Sequence, residues 1–238
     1  MNFRPPKNTG GLATSLVLHR AGYDVHVFER AVEPGEVGAG INITPAGANV
    51  LNRLGLGEDL AALQKGDAIL TSELRYYTSN GALISSKPLG KAAGFDTPQY
   101  SIHRGKLWRC MYEKVKESLG EDKIHCNHEF TRFVTSGSGA SSRVTAHFTT
   151  YHGWWAGKDL EGKELPSWEG DALIACDGIK SAVRAQLYPD EKPKFTGWRI
   201  YRAVLPDFDA QMADGRTMVI VGQGDGDICM YPMSETTR

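Results

Sequence analysis

The feature that most constrains the fold is a helix, a glycine turn and a strand ending in an acid, over residues 11–29. Apolar residues recur at helical spacing from Gly11 to Ala21, and Gly22 follows them as a helix-ending glycine does. Residues 24–29 (Asp-Val-His-Val-Phe-Glu) predict a short buried strand. This order is typical of the second part of a dinucleotide-binding βαβ unit, where the acid accepts hydrogen bonds from ribose hydroxyls. Glu29 is the candidate acid, and the alternative is a surface Glu that closes a strand.

The phosphate-binding half of this unit departs from the usual pattern. In G-x-G-x-x-G with Gly11 as the last glycine, positions 6 and 8 require glycine, but Pro6 and Asn8 stand there. Proline has no backbone N–H and cannot make the tight first turn, and asparagine places a side chain where the pyrophosphate needs to contact backbone. Residues 1–5 do not read as a core strand. We therefore predict that the phosphate cradle is damaged or missing.

Composition and charge argue against several other classes of protein. The 238 residues carry 27 Lys and Arg against 28 Asp and Glu, so a net charge of −1 provides no electrostatic basis for binding nucleic acid or an anionic membrane surface. No apolar stretch approaches the roughly 20 residues of a membrane span. The four cysteines are far apart, without metal or redox spacing, which favours reduced thiols in the cytoplasm and predicts no metal site. The length suits one large domain or two small ones.

Two further segments are candidates for ligand contact. Residues 36–42 form a glycine-rich stretch before a predicted helix over residues 46–54; it either lets backbone approach a flat ligand or is a flexible connection. Arg104 precedes a predicted helix over residues 105–119, where a cation opposes the helix dipole. That position favours an anionic ligand, with a solvated arginine as the alternative. Between these segments, a Ser-Asn-Gly turn at residues 79–81 predicts a β-hairpin.

A second diagnostic stretch lies at residues 171–184. It reads as a buried strand, an Asp-Gly turn and a helix capped by Ser181. Such a turn places backbone N–H groups at the end of a parallel sheet, where an anion binds well. Further along, residues 195–206 predict a strand that interleaves basic and aromatic residues, and residues 217–233 predict another hairpin.

Together and in this order, the motifs resemble those of the flavin-dependent aromatic hydroxylases, a family that includes the salicylate hydroxylase-like monooxygenases. Several independent motifs in one order make the resemblance specific. It covers nearly the whole chain, which corresponds to the N-terminal half to two-thirds of such an enzyme. The segments that carry it are Gly10-Gly11-Leu12-Ala13, Val27-Phe28-Glu29-Arg30, Val37-Gly38-Ala39-Gly40-Ile41, His103-Arg104, the string around Asp177-Gly178, and Thr196-Gly197-Trp198 with Tyr201-Arg202.

The resemblance implies an α/β fold of the flavin hydroxylase type: a Rossmann-like FAD-binding domain with an interleaved, incomplete β-sheet substrate domain. Residues 1–75 and 101–190 would be the two parts of the FAD-binding domain, the second including the Asp-Gly motif. Residues 76–100 would be a β-hairpin insertion, and residues 191–238 the truncated start of the substrate-binding β domain. A later Gly-Asp-Ala-Ala-His-type segment of the family, which would hold the flavin, is not in the sequence. We therefore expect a truncated family member that alone binds FAD weakly or not at all.

The resemblance also implies roles for individual residues. Glu29 would hold the adenosine ribose of FAD, and the Asp-Gly motif would serve both FAD and the reduced nicotinamide. Arg202 and Tyr231 would be catalytic, because fungal-type family members place an Arg and a Tyr facing the phenolic substrate. Arg202 would stabilise a phenolate by charge-assisted hydrogen bonding, and Tyr231 would relay a proton. The full cofactor-binding set is Gly11, Glu29, Ala39, Gly40, Arg104, Asp177 and Gly178.

The implied activity is that of an FAD-dependent monooxygenase. It would use NAD(P)H and O₂ to hydroxylate a phenolic or related small molecule, aromatic or polyketide-like, in secondary metabolism. Two alternatives stay open: a non-catalytic remnant or binding module on the same fold, and a flavin oxidase or dehydrogenase that inserts no oxygen. Failure to bind flavin would favour the first alternative, and turnover without hydroxylated product would favour the second.

Overall fold

Internal contacts divide the chain into two units, and each unit is assembled from segments that are distant in sequence. In this computed structural model the first unit comprises Met1–Val37 and Val115–Ile200, and the second comprises Gly38–Lys114 and Tyr201–Arg238. This division follows from contacts within the chain and does not assign a function to either unit. The functional domain boundaries expected from the sequence therefore stay a prediction. The structure describes residues 9–32, 39–151, 162–205, 215–222 and 226–234. The predicted phosphate-loop positions 6 and 8 lie outside the described residues.

The described residues form short helices and strands in a mixed α/β order. The helices are α1 (Thr9–Arg20), α2 (Pro45–Leu51), α3 (Gly57–Leu63), α4 (Arg104–Leu119) and α5 (Ala182–Leu187). The strands are β1 (Val27–Phe28), β2 (Gly40–Ile43), β3 (Ala68–Thr71), β4 (Glu73–Tyr77), β5 (Leu83–Pro88), β6 (Gln99–His103), β7 (Ile124–His125), β8 (Glu129–Ser136), β9 (Arg143–Thr149), β10 (Glu164–Gly170), β11 (Thr217–Gly222) and β12 (Asp227–Met230). None of the described helices has both the length and the apolar character needed to cross a membrane.

The first unit packs a two-stranded parallel ladder on an antiparallel sheet. β1 pairs in parallel with β7, and β9 lies between β8 and β10 in the antiparallel sheet. α1 buries Leu12 and Leu16, which lie four residues apart and therefore on one helix face. Phe28 of β1 stacks on Phe148 of β9 with ring centroids 4.5 Å apart, and Trp168 of β10 meets Phe28 edge-on. These aromatic contacts hold β1 on the sheet.

The second unit contains two sheets. β6 lies between β2 and β3 in an antiparallel sheet, and the other sheet has the order β12-β11-β4-β5, with β11 parallel to β4. Ile102 of β6 is completely buried. Beside it a polar network crosses the first sheet, because Ser101 donates to Oδ1 of Asn42 at 2.5 Å and is hydrogen-bonded to Thr71. The buried hydroxyl groups therefore have partners, which makes their burial tolerable.

Most of the predicted elements with strong local signals are confirmed. The helices predicted over residues 11–21 and 105–119 are α1 and α4. The hairpins predicted around the Ser-Asn-Gly turn and over residues 217–233 are the β4–β5 and β11–β12 pairs. The helix predicted over residues 46–54 is interrupted, because α2 passes into a π-helical turn in which Gly55 has a φ of 84°.

Two predicted strands are wrong. Residues 171–176 and the described part of residues 195–206 do not form strands, and Ile174 and Ile200 are 53% and 76% exposed. The apolar pattern of these segments indicates a preference for burial, but a strand also requires a hydrogen-bonded neighbour. In the part of the chain that the structure describes, no strand pairs with either segment.

A directed chain of hydrogen bonds supports the β1–β7 ladder. Lys123 donates to Oδ1 of Asp24 at 2.8 Å, and its Nζ lies 3.1 Å from Nε2 of His26. An ammonium group only donates, so Nε2 of His26 accepts and Nδ1 of His26 carries the proton. That Nδ1 lies 2.9 Å from Nε2 of His125, which therefore accepts in turn. Both histidines are neutral in this arrangement.

Burial and neighbouring charge lower the pKa of both histidines. For His26, burial lowers the pKa below the ordinary 6.5 and the charge of Lys123 lowers it further, against the opposing effect of Asp24 and Asp122. For His125, burial is again the main cause, followed by His26. A lowered pKa means that the unfolded chain binds more protons than the folded chain at and just below pH 6.5. The stabilisation is therefore present above this pH and is lost as the pH falls below it.

We expect the free energy of unfolding to fall as the pH is lowered from about 7.5 to about 5, and His26→Gln to flatten this dependence. Glutamine has no titratable group, and its amide oxygen can still accept from Lys123. The measurement is urea unfolding followed by tryptophan fluorescence at several pH values. The exposed His19 of α1 provides the control, since His19→Gln should leave the dependence as it is. An unchanged slope in His26→Gln would contradict the role given to this histidine.

Candidate functional site

The backbone of Gly40 lies in close contact with two side chains of the second unit. It is buried, begins β2 and pairs with His103 of β6, so the predicted glycine-rich loop is already a strand at this residue. A Cβ atom on Gly40 would lie 2.5 Å from Cε2 and 2.9 Å from the hydroxyl oxygen of Tyr231, and it would overlap Sδ of Met233. Glycine is therefore required here by space. The preceding loop residue Gly38 lies outside the described residues.

Residues 231–234 are held at both ends. They directly follow β12, which is paired with β11. At the other end, the hydroxyl of Ser234 donates to the carbonyl oxygen of Gly66. Between the two ends, Pro232 restricts the preceding residue to extended conformations. The sheet and the Gly66 loop together determine where Tyr231 lies.

The predicted cofactor residues Ala39 and Arg104 adjoin Gly40. The N–H of Arg104 donates to the carbonyl oxygen of Ala39 at 3.2 Å, which joins the first residue of α4 to the start of β2. His103 closes the first turn of α4, because its Nδ1 accepts at 3.2 Å from the backbone N–H two residues further on. Three predicted residues and Tyr231 therefore converge at one end of the β2–β6 pair.

The protonation state of Tyr231 depends on burial and on two neighbours. Burial raises the pKa of its phenol above the ordinary 10.0, the thiol of Cys229 raises the pKa further, and the positive charge of Arg202 lowers it. The phenol therefore keeps its proton at neutral pH. Arg202 itself is exposed. The two predicted catalytic residues lie within electrostatic range of each other in the second unit.

Glu29 continues the β1–β7 ladder at the end of β1 in the first unit. Its N–H donates to the carbonyl oxygen of His125 at 2.9 Å, and its carbonyl oxygen accepts from the N–H of His128 at 2.9 Å. The carboxylate oxygen Oε1 accepts from the N–H of Ala31 at 3.0 Å. Burial raises the pKa of Glu29 above the ordinary 4.5, and the N–H of Ala31 and the charge of Arg30 oppose this rise. The acid predicted at the strand end is thus partly buried, and one of its carboxylate oxygens already accepts a hydrogen bond from the backbone two residues further on.

The Asp177-Gly178 turn forms the start of α5. Oδ2 of Asp177 accepts from the first two N–H groups of α5, at 2.8 and 3.3 Å. Ser181 caps the same helix as predicted, because its hydroxyl accepts from the N–H of Arg184 at 2.9 Å. Gly178 has a φ of 78°, a conformation that favours glycine. One carboxylate oxygen of Asp177 therefore acts as a structural acceptor for the helix.

Two contacts hold this turn within the first unit. The side-chain amide of Gln186 donates to the carbonyl oxygen of Phe133 at 2.7 Å and accepts from the N–H of Phe133 at 2.9 Å, as a neighbouring strand would. On the other side of the turn, Oγ1 of Thr14 in α1 lies 4.0 Å from Sγ of Cys176. The N-terminal part of α1, which contains Gly11, is therefore a neighbour of the Asp-Gly turn.

Met233 and Gln186 are residues that the sequence analysis did not single out. Met233 does carry a signal, because it stands two residues after Tyr231 and alternate residues of an extended segment share one side. Gln186 carries none, since its role depends on the edge of β8. Among the described residues, no group of three or more His, Cys, Asp or Glu side chains is arranged to hold a metal ion.

Comparison with known proteins shows the family. The chain is 36% identical over 231 residues to phenazine 1,6-dicarboxylic acid hydroxylase PhzS of Lysobacter antibioticus, covering 94% of this chain and 52% of that protein. It is 32% identical over 203 residues to 3-hydroxybenzoate 6-hydroxylase of Polaromonas naphthalenivorans, covering 84% and 45%. No protein-family model matches the chain. The chain belongs to the FAD-dependent aromatic hydroxylases, and it spans about half the length of the curated relatives it matches.

Solved structures agree on the fold. The p-nitrophenol 4-monooxygenase PnpA of Pseudomonas putida DLL-E4 superposes with a TM-score of 0.69 at 18% identity, covering 98% of this chain and 54% of that one. The tetrameric form of 2-methyl-3-hydroxypyridine-5-carboxylic acid oxygenase superposes with a TM-score of 0.63 at 18% identity, covering 97% and 54%. The predicted α/β fold of the flavin hydroxylase type is confirmed.

We expect Gly40→Ala to destabilise the protein by about 1–3 kcal/mol, because the added methyl group would overlap Tyr231 and Met233. The midpoint of urea unfolding measures this loss. Gly170→Ala is the control, since a Cβ there would have its nearest neighbour, the carbonyl oxygen of Ala172, at an ordinary 3.8 Å. Equal midpoints for the two variants would show that Gly40 is not tightly enclosed.

We expect Asp177→Ala to speed amide exchange at Ala182 and Val183 about fivefold, which corresponds to a loss of about 1 kcal/mol of capping free energy. Asp177→Asn should retain most of the protection, because an amide oxygen still accepts hydrogen bonds. Hydrogen exchange followed by NMR gives the rates, with Asp190→Ala at an exposed position as the control. Unaltered rates in Asp177→Ala would rule out the capping role.

Proposed function

We propose that the protein is an FAD-dependent monooxygenase that hydroxylates a phenolic or related aromatic small molecule with NAD(P)H and O₂. The observation that carries the proposal is the placement of Tyr231 against Gly40, within electrostatic reach of Arg202. The chain that holds this arrangement is 36% identical to a phenazine dicarboxylic acid hydroxylase. Because it spans about half of that relative, the activity is proposed for the whole enzyme to which these residues contribute.

The proposed chemistry requires an electron-rich aromatic ring. FAD, when bound, supplies the electrophilic oxygen, with NAD(P)H as the reductant and O₂ as the oxygen source. Arg202 would favour the phenolate form of the substrate, because its permanent positive charge donates charge-assisted hydrogen bonds to the oxygen. A phenolate has more electron density in the ring than a phenol and is the better nucleophile. Tyr231, which keeps its own proton at neutral pH, would relay the proton by passing its own proton to solvent water as it accepts that of the substrate hydroxyl.

The residues proposed to contact FAD suit its chemistry. Glu29 stands at the end of a strand, and a carboxylate accepts hydrogen bonds from ribose hydroxyls even with Oε1 already engaged. Asp177 would contribute through the turn that it forms, since its Oδ2 is engaged by α5. Arg104 is tied by its backbone N–H to the carbonyl oxygen of Ala39, next to Gly40, and its side chain would supply positive charge for the anionic cofactor. The complete proposed set is Gly11, Glu29, Ala39, Gly40, Arg104, Asp177 and Gly178.

The domain assignment and the cellular setting belong to the same proposal. Residues 1–75 and 101–190 are assigned to FAD binding, residues 76–100 to a hairpin insertion and residues 191–238 to the substrate side. The proposed partners are an aromatic or polyketide-like substrate and O₂, and a net charge of −1 gives no support for nucleic acid. We assign the enzyme to the cytoplasm, which its separate, unpaired cysteines support.

We expect Glu29→Gln and Arg202→Met to separate cofactor binding from hydroxylation. Glu29→Gln should weaken FAD binding roughly 10- to 100-fold, because a charged acceptor is lost. Arg202→Met should abolish the hydroxylated product while FAD affinity stays within about twofold, because the lost charge acts on the substrate. FAD titration of the whole enzyme by flavin fluorescence measures the first effect. Product analysis with NADH or NADPH and 3-hydroxybenzoate, the substrate named for one relative, measures the second.

The control for this pair is Arg199→Met, a charge removal at an exposed position three residues away. It should alter neither quantity. Loss of flavin in Arg202→Met would contradict the role given to this arginine. In the whole enzyme, hydrogen peroxide without hydroxylated product would favour a flavin oxidase, and failure to bind flavin would favour a non-catalytic module.

A further inference from the structure

The side chain of Met233 shares the surface of Gly40 with the ring of Tyr231. A Cβ atom on Gly40 would overlap Sδ of Met233 and lie 2.5 Å from Cε2 of Tyr231, so both side chains reach the same Cα. The two residues are separated only by Pro232, which restricts the backbone before it to extended conformations. In an extended segment, alternate residues point to one side. Met233 therefore stands next to Tyr231 along the strip of chain that faces Gly40.

This strip has little freedom to shift as a whole. β12 precedes it and is paired with β11, and Ser234 at its other end donates to the carbonyl oxygen of Gly66. The ring of Tyr231 can still rotate about its side-chain bonds, and only the side chains that touch it can prevent this rotation. Sδ of Met233 and Cε2 of Tyr231 both lie within 2.5 Å of one point, the position that a Cβ atom on Gly40 would take, so the thioether stands beside the ring.

We propose that Met233 is a positioning residue that holds the Tyr231 ring against Gly40 and so places the phenol oxygen for proton transfer with the substrate hydroxyl. The inference rests on the proposed function for its catalytic meaning, but the contact between the two side chains can be tested without catalysis. A thioether is apolar, polarizable and unbranched, so it fills an irregular gap beside an aromatic ring well. Its apolar surface also excludes water from one side of the phenol.

The chemical consequence concerns both the orientation and the solvation of the phenol. A displacement of about 1 Å of a catalytic group lowers rates by as much as about 100-fold. A phenol that becomes more hydrated also ionises more easily, because burial disfavours the charged form. Removal of the Met233 side chain should therefore alter the titration of Tyr231 and, in the complete enzyme, kcat more than KM.

The experiment uses protein labelled with carbon-13 at Cζ of tyrosine, with Tyr231→Phe to identify the Tyr231 signal. In Met233→Ala the signal of Tyr231 should titrate at lower pH than in the unchanged protein, because the phenol is more exposed to water. Met233→Leu, which conserves volume, should restore the titration. Met218→Ala removes a partly buried methionine of β11 in the same unit and should leave the signal unchanged.

An unaltered Tyr231 titration in Met233→Ala would overturn the proposal, as would an equal change in Met218→Ala. The kinetic measurement then tests the catalytic meaning: kcat should fall roughly 10- to 100-fold in Met233→Ala, with KM changed much less, and should recover in Met233→Leu. Failure of the unsubstituted whole enzyme to hydroxylate any phenol would contradict the proposed function. It would not alter the titration result, which reports the Met233–Tyr231 contact by itself.

Discussion

The second unit depends on a parallel pairing between two strands that are far apart in the sequence. β4 and β11 pair over residues 73–77 and 217–221, and the N–H of Ser72 extends the ladder by donating to the carbonyl oxygen of Arg216 at 2.9 Å. Two parallel strands cannot be joined by a tight turn, so a long connection must link them. Bringing the ends of that connection together costs conformational entropy, which the burial of apolar side chains must offset. Val219, which is 2% exposed at the centre of β11, supplies part of this burial.

The same pairing determines where the candidate catalytic tyrosine lies. In the described sheet β12 is an edge strand paired with β11, and the residues after β12 reach Gly40, the first residue of a different sheet. The contact between Tyr231 and Gly40 therefore forms only when the unit as a whole has folded. This explains why no contiguous motif marks the site, whereas the Asp177 turn and its helix cap are local and can be identified in the sequence.

The elements that could be predicted from the sequence are those with local causes. Helical periodicity located α1 and α4, and turn chemistry located the hairpins, because neither signal depends on distant partners. The strands expected over residues 171–176 and over the described part of residues 195–206 were wrong, since an apolar pattern does not specify a hydrogen-bonded neighbour. Arg202 and Tyr231 became candidates through family resemblance, and their roles stay a prediction. Met233 was missed because its importance arises from its packing against Gly40, a glycine nearly two hundred residues away in the sequence.

Gln186 has a consequence for how the chain behaves in concentrated solution. β8 is an edge strand of the described β10-β9-β8 sheet, and the Gln186 amide engages both backbone groups of Phe133. An uncovered edge is a template on which a second molecule can add a strand, which leads to aggregation. Asp177 and Ser181 cap α5, the helix that carries Gln186. Loss of these caps would favour detachment of α5, and a detached α5 would leave the β8 edge uncovered. The same short turn thus bears on solubility as well as on the cofactor contact proposed for it.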